Sequence, residues 1–93
     1  MEIKHTEGNP KGYFAAYEED KMAGKLTYTN AGKTLMILDH TEVDSAFKGK
    51  NVGKQLVMSA VKFAREKKIK IIPLCPFAKS VFDRTAEIKD VLS

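Results

Sequence analysis

The chain has 93 residues, enough for one small domain, and we expect a single domain over residues 1–93. An apolar content of 43% argues against disorder, no apolar run reaches the ~18 residues of a membrane span, and the single cysteine excludes an internal disulfide. The net charge of +4 favours an anionic partner, while the polar N-terminal segment and the lone thiol favour the cytoplasm.

Aromatic and β-branched residues separated by polar turns predict that the chain begins as an antiparallel meander. The turns are short and rich in turn-forming residues, as hairpin connections are. The last strand changes character along its length, since it is apolar up to Leu38 and polar from Asp39 onward. The four predicted strands cover residues 1–5, 12–18, 23–29 and 34–43.

A helical period replaces the strand pattern in the second half of the chain. Apolar residues three to five positions apart predict an amphipathic helix over residues 52–67. The β-branched run of residues 69–74 predicts another strand, and Pro73 places it at a sheet edge or break because proline cannot donate to a ladder. Strand, helix and strand then form a crossover unit, whose two strands should be parallel.

A short helix is predicted over residues 77–84, since Pro76 fits a first helical turn. Phe77, Val81 and Phe82 are expected to face inward, and residues 88–92 to pack a final turn. The expected fold class is therefore α/β (α+β), with a mixed, mostly antiparallel sheet, a central helix in a β-α-β unit and a short C-terminal helix.

The loop before the central helix contains two glycines, Gly49 and Gly53, and three lysines, Lys48, Lys50 and Lys54. The free N–H groups of a first helical turn and the helix dipole favour an anion at such a place. Glycines let a ligand approach the backbone, so the loop is a candidate phosphate cradle. The alternative is that the glycines only shape a tight turn and the lysines form a solvated surface.

Ligands of open α/β sheets bind beyond the carboxyl ends of parallel strands. The candidate cradle follows the first strand of the crossover unit, and Cys75 follows the second. The topology therefore brings the loop and the only thiol to the same edge of the sheet. This placement suits a cofactor whose phosphate end lies in the loop and whose reactive end lies near Cys75.

Over roughly residues 12–84 the chain resembles the GCN5-related N-acetyltransferases, which use acetyl-coenzyme A (acetyl-CoA). Their signature at the central helix is a basic residue or glutamine, two residues, glycine, one residue, then glycine or alanine. It matches residues 48–53, with Asn51 in place of the first glycine, a mild change because asparagine tolerates left-handed φ. The chain is similar in particular to small, minimal members, which share His-Thr-x-Val (residues 40–43) and Pro-x-Cys-Pro-Phe (residues 73–77).

The resemblance implies a cofactor site as well as a fold. Backbone N–H groups of residues 48–54 would hold the pyrophosphate of coenzyme A (CoA), with the three lysines near its phosphates. The pantetheine arm would lie between splayed strands that end near Val43 and Cys75. The residues implied in cofactor binding are Val43, Phe47, Lys48, Gly49, Lys50, Asn51, Val52, Gly53, Lys54, Cys75, Phe77 and Phe82.

Two departures from the family pattern bear on the chemistry. Full-size relatives insert helices between their first two strands, and these build much of the acceptor site, whereas only residues 6–11 are available here. Many relatives carry a tyrosine after the fifth strand as general acid, and Phe82 stands there without a hydroxyl. The resemblance implies an N-acetyltransferase that transfers acetyl from acetyl-CoA to an unidentified amine. The two departures favour the alternative, a module that binds acetyl-CoA or CoA with little or no transfer.

The candidate catalytic residues are Cys75, His40 and Glu42. Pro76 at the first helical position would make Cys75 the N-cap, where the dipole favours a thiolate able to accept an acetyl group. Cys75 could equally be a buried spectator. His40 and Glu42 share a strand face as candidate general bases, the alternatives being a structural histidine and a surface carboxylate. Thr41, on the other face, is expected to serve packing.

The expected partners are acetyl-CoA and a small-molecule or protein amine, with neither nucleic acid nor a membrane. The positive charge alone would suit nucleic acid, but phenylalanines and tyrosines are expected in the core rather than among the lysines. No ligand spacing supports a metal site. A monomer or a weak homodimer is expected. In a homodimer, the partner chain could supply the missing wall of the acceptor site.

Overall fold

The computed structural model describes residues 1–93 and contains one five-stranded sheet with helices on one side. The elements are β1 (Glu2–Thr6), β2 (Lys11–Glu18), β3 (Lys21–Asn30), β4 (Leu35–Val43), α1 (Val52–Lys67), β5 (Lys70–Pro73) and α2 (Pro76–Arg84), with 3₁₀ turns at Ser45–Phe47 and Ala86–Val91. The strands lie in the order β1-β2-β3-β4-β5, and only the pair β4-β5 is parallel. The predicted mixed sheet and crossover unit are confirmed.

No helix is both long and apolar enough to cross a bilayer.

The core lies between the sheet and α1. Leu56 and Val57 of α1 form one buried cluster with Leu26 of β3, and none of these three side chains is exposed. Burial of each such side chain stabilises the fold by about 2 kcal/mol. Gly24 of β3 brings the start of α1 onto the sheet, because a Cβ there would lie 2.8 Å from Val52 Cγ1. The sheet thereby fixes the position of the first turn of α1.

A β-bulge at Asp39 changes which side chains of β4 face the helices. The pairing of β4 with β3 skips one residue between Leu38 and His40. Because an inserted residue reverses the alternation of side chains, Thr41 joins Leu38 on the helix side of the sheet. His40 and Glu42 instead share the opposite side, which carries no helix and is called the outer face below.

Two expectations about aromatic residues are wrong. Phe77 is 39% exposed instead of turned inward, because it lies across the first turn of α1. Tyr13 and Tyr17 do not occupy core positions but lie partly exposed on the outer face. The ammonium of Lys25 is 4.4 Å from the Tyr13 ring centroid, and that of Lys4 is 5.3 Å from the Tyr17 centroid. Tyrosines and lysines are therefore neighbours on this face.

His5 of β1 is a titratable residue packed among aromatic side chains. Its Nε2 lies 2.7 Å from the Tyr28 hydroxyl, and its ring stacks on Phe14 with centroids 4.0 Å apart. Burial lowers the pKa of His5 below the usual 6.5, against a smaller opposite effect of the Glu7 charge. The folded protein therefore resists protonation of this imidazole.

The free energy of unfolding is expected to fall as the pH drops through the unfolded-state pKa of His5, about 6.5. Below that value the unfolded chain takes up a proton that the folded chain still resists, and the loss continues until the lower folded-state pKa is passed. Urea unfolding of the wild type and of His5→Gln between about pH 7 and pH 5 measures this term. An identical pH dependence in the two proteins would contradict it.

Candidate active site

A cavity of about 560 Å³ lies between the loop before α1 and the helix α2. This volume is within the range of small-molecule sites. The cavity is lined by the residues implied in cofactor binding except Lys50, Cys75 and Phe82, and additionally by Val81, Arg84 and Thr85. No carboxylate is among the lining residues, so the cavity is electrostatically suited to an anion.

The first turn of α1 has no side-chain capping hydrogen bond. Asn51 is the N-cap, but its backbone is left-handed, with φ 57° and ψ 33°, and its side chain makes no capping hydrogen bond. The first bond of the helix runs from the Gln55 N–H to the Asn51 carbonyl, which leaves the N–H groups of Val52, Gly53 and Lys54 without an acceptor. These three donors carry the positive end of the helix dipole and belong to residues that line the cavity.

The two glycines of the loop have different roles. Gly49 has φ +86°, a conformation that side-chain-bearing residues rarely adopt, and its surroundings are open. At Gly53, a Cβ would come within 2.5 Å of the Phe77 ring. Glycine at position 53 therefore lets the start of α2 pack against the first turn of α1. This contact brings Cys75, which immediately precedes α2, close to the loop.

The three lysines of the loop are placed differently. Lys50 is held by Glu18, with Nζ 2.8 Å from Oε2, and does not line the cavity. Lys48 and Lys54 line the cavity and have no carboxylate within 4.0 Å. Two of the three lysines therefore remain available to an anion in the cavity.

Strands β4 and β5 diverge after Leu38. The Leu38 carbonyl accepts hydrogen bonds from both Leu74 and Cys75, at 3.1 and 3.0 Å, and this double acceptance ends the pairing. Residues 39–43 of β4 consequently have no neighbouring strand on this side. The splay implied by the resemblance is present, and it leaves one edge of β4 without a partner strand up to Val43, which lines the cavity.

Cys75 is the N-cap of α2, with Pro76 at the first helical position, as predicted. Its Sγ lies 3.4 Å from Thr41 Oγ1, and the residue is only 5% exposed. Burial raises the pKa of the thiol, but hydrogen bonds from the Thr41 side chain and from the N–H groups of Ala78, Phe77 and Thr41 outweigh burial and lower it overall. Cys75 is thus a buried thiol with a lowered pKa, and it immediately precedes the helix α2 that lines one side of the cavity.

The remaining candidates do not converge on the thiol. His40 Nε2 lies 3.2 Å from Glu42 Oε1, and these side chains are 65% and 74% exposed on the outer face. The structure brings His40 and Glu42 close to each other. The residue that contacts Cys75 is instead Thr41, which was expected only to pack.

Phe82 does not line the cavity. It is 1% exposed and lies in the core. No group of three His, Cys, Asp or Glu side chains is arranged to hold a metal ion.

Thr41→Val is expected to raise the pKa of the Cys75 thiol, because the variant removes the hydroxyl that stabilises the thiolate. The ultraviolet absorbance of the thiolate, followed against pH, measures the midpoint. Thr41→Ser keeps a hydroxyl and serves as the control. The same midpoint in Thr41→Val and the wild type would show that the hydroxyl has no effect on the thiol.

The mixed sheet, its splayed parallel pair and the cavity at the start of α1 define an acetyltransferase-like α/β protein. A family model described as GCN5-related N-acetyltransferase matches residues 12–91, and the chain belongs to this family. The NMR structure of a GCN5-like protein from Staphylococcus aureus is 34% identical. That match covers 99% of this chain and 87% of the other, with a TM-score of 0.72.

Two crystal structures share the fold at lower identity. The ribosomal-protein-alanine N-acetyltransferase from Brucella melitensis is 16% identical, with a TM-score of 0.69 over 81% of this chain and 62% of that one. An aminoglycoside 6′-N-acetyltransferase complexed with coenzyme A is 22% identical, with a TM-score of 0.59 over 67% of this chain and 36% of that one. No curated protein sequence matches the chain significantly.

Proposed function

We propose that the protein binds acetyl-CoA in the cavity at the start of α1 and transfers its acetyl group to an amine. The observation that carries this proposal is the uncapped first turn of α1, whose free N–H groups belong to a cavity lining without carboxylates. A pyrophosphate accepts hydrogen bonds from such groups and is favoured by the helix dipole. Membership of the family, and the relative complexed with coenzyme A, support the choice of cofactor.

The pantetheine arm lies, in this proposal, along the free edge of β4. Its amides suit backbone groups on the edge of residues 39–43 that has no partner strand, in the manner of an added strand, except the Thr41 N–H, which is directed to Cys75. Val43 and Phe77 line the cavity and are 43% and 39% exposed, so they offer the arm apolar contacts. An arm that starts at the loop and follows this path has its thioester end near Cys75 and Thr41.

Cys75 accepts the acetyl group in the first of two steps. The thiolate attacks the carbonyl carbon of the thioester, the bond from that carbon to the sulfur of CoA breaks, and CoA leaves as a thiolate. In the second step an amine attacks acetyl-Cys75, its nitrogen gives up a proton, and the Cys75 thiolate is released. The lowered pKa of the thiol favours it both as nucleophile and as leaving group.

The amine approaches from the outer face, and His40 and Glu42 are the proposed recipients of its proton. The pairing of β4 with β5 ends at Leu38 and Pro73, so in this proposal the amine passes between the diverging strands to reach Cys75. Glu42 lies close enough to His40 to orient the imidazole, as a carboxylate does for a general base. Because no helix covers the outer face, an amine exposed on a larger partner or a loosely held small amine fits this approach.

A second candidate function is binding of acetyl-CoA without transfer. It is favoured by the position of His40 and Glu42, which face away from Cys75, and by the buried ring of Phe82. Under this alternative Cys75 is a buried residue that takes no part in chemistry.

Release of free CoA from acetyl-CoA in the presence of a panel of primary amines separates the two functions. A transferase releases CoA in proportion to the amine, whereas a binding module shows calorimetric binding without amine-dependent release and without acetylation of Cys75. Absence of acetyl-CoA binding would contradict both.

A further inference from the structure

We propose that Arg84 binds the 3′-phosphate on the adenosine of CoA and makes the protein selective for CoA over dephospho-CoA. The inference rests on the proposed cofactor site and extends it to a residue outside the signature of the central helix. Arg84 is the last residue of α2 and lines the same cavity as the loop before α1.

The two arginines of the chain differ in their partners. Arg65 donates two hydrogen bonds to the Asp90 carboxylate, at 2.7 and 3.1 Å, and a third to the Glu87 carbonyl at 2.7 Å. Arg84 donates only from Nε, to the Ser80 carbonyl at 3.2 Å, and no carboxylate lies within 4.0 Å of it. The terminal nitrogens of Arg84 therefore have no partner in the protein.

Helix α2 begins next to Cys75, at the reactive end of the proposed site, and ends at the opposite end of the cavity. Cys75 is the N-cap, and Phe77, Val81 and Arg84 follow at the spacing of one helix face along the cavity. Phe77 packs on the first turn of α1 at Gly53, where the pyrophosphate is proposed to bind. A rise of 1.5 Å per residue places Arg84 about 10 Å beyond Phe77, away from the thiol.

This position matches the remaining charge of the cofactor. CoA carries a pyrophosphate in its chain and a phosphate monoester on the 3′-oxygen of its ribose. The free N–H groups of α1, together with Lys48 and Lys54, account for the pyrophosphate. A guanidinium fork matches the oxygens of a monoester in a bidentate manner, and the neighbouring Thr85, which also lines the cavity, offers a hydroxyl donor.

Calorimetric titration of the protein with CoA and with dephospho-CoA tests the assignment. The wild type is expected to bind CoA roughly tenfold or more tightly than dephospho-CoA, as for hydrogen bonds to a charged group. Arg84→Gln is expected to weaken CoA binding to the dephospho-CoA level while dephospho-CoA binding stays unchanged. Lys62→Gln removes an equal charge from an exposed position of α1 outside the cavity, and it should preserve the preference.

Arg84→Lys keeps the charge without the fork and serves as a second variant, for which a reduced preference is expected. Equal binding of the two ligands by the wild type, or an equal loss for both in Arg84→Gln, would overturn the role of Arg84 and leave the proposed cofactor site in place. Binding of neither ligand by the wild type would overturn both.

Discussion

Cys75→Ala is expected to retain acetyl-CoA binding and to lose acetyl transfer by roughly 100-fold or more, as removal of a nucleophile does. Binding is retained because Cys75 lies beside the cavity and is not among its lining residues. Transfer is lost because the variant has no thiolate to take up the acetyl group. The buried position, the contact with Thr41 and the lowered pKa of the thiol all support this role.

Mass spectrometry of the intact protein after brief exposure to acetyl-CoA should show one added acetyl group on the wild type and none on Cys75→Ala. Cys75→Ser replaces the thiol with a hydroxyl of similar shape, which is not ionised near neutral pH, and should also be inactive. Full turnover by either variant would contradict the covalent step and indicate direct transfer from the bound cofactor to the amine.

Asn51→Asp is expected to change stability and cofactor binding in opposite directions. A carboxylate at the N-cap complements the uncapped first turn of α1 and should add up to about 1 kcal/mol to the free energy of unfolding. The same charge competes with the pyrophosphate. Repulsion of about 1–4 kcal/mol between charges about 4 Å apart corresponds to roughly fivefold weaker binding or more.

The matched control is Asn51→Gly, which relieves the left-handed backbone at φ 57° without adding charge. It should keep wild-type affinity for CoA. Thermal unfolding and calorimetric titration of the two variants give both quantities. Wild-type affinity in Asn51→Asp would show that the phosphates do not lie at the start of α1.

Most of the fold could be predicted because its determinants are local. The helix over residues 52–67 was predicted with the bounds observed, since its apolar spacing is regular and lysines follow its end. Pro73 correctly marked β5 as an edge strand. The crossover rule then placed the loop and Cys75 at the same sheet edge without further information.

The faces of β4 could not be predicted, because they depend on pairing with another strand. The bulge at Asp39 arises where the pairing register of β3 and β4 shifts by one residue. No residue type in β4 predicts this shift. Thr41 therefore reaches Cys75, and His40 faces away, although simple alternation from Leu38 gives the reverse.

Long-range contacts decided the remaining differences at the site. Lys50 is turned away by Glu18, which lies 32 positions earlier in the chain, so its neighbours in the loop give no sign of the pairing. Arg84 lines the cavity because α2 packs on α1 through Phe77 and Gly53. Once Phe77 is known to face the cavity, helical spacing identifies Arg84 as well.

Titration of the protein with acetyl-CoA, followed by amide NMR shifts, tests the proposed cofactor site most directly. Shifts concentrated at residues 48–54 and around Cys75 are expected, because these backbone N–H groups would contact the pyrophosphate and the thioester end. Arg84 and Thr85 should shift with them. No shift at about 1 mM cofactor, a very weak affinity for a cofactor, would mean that the loop is only a turn and would contradict the proposed function.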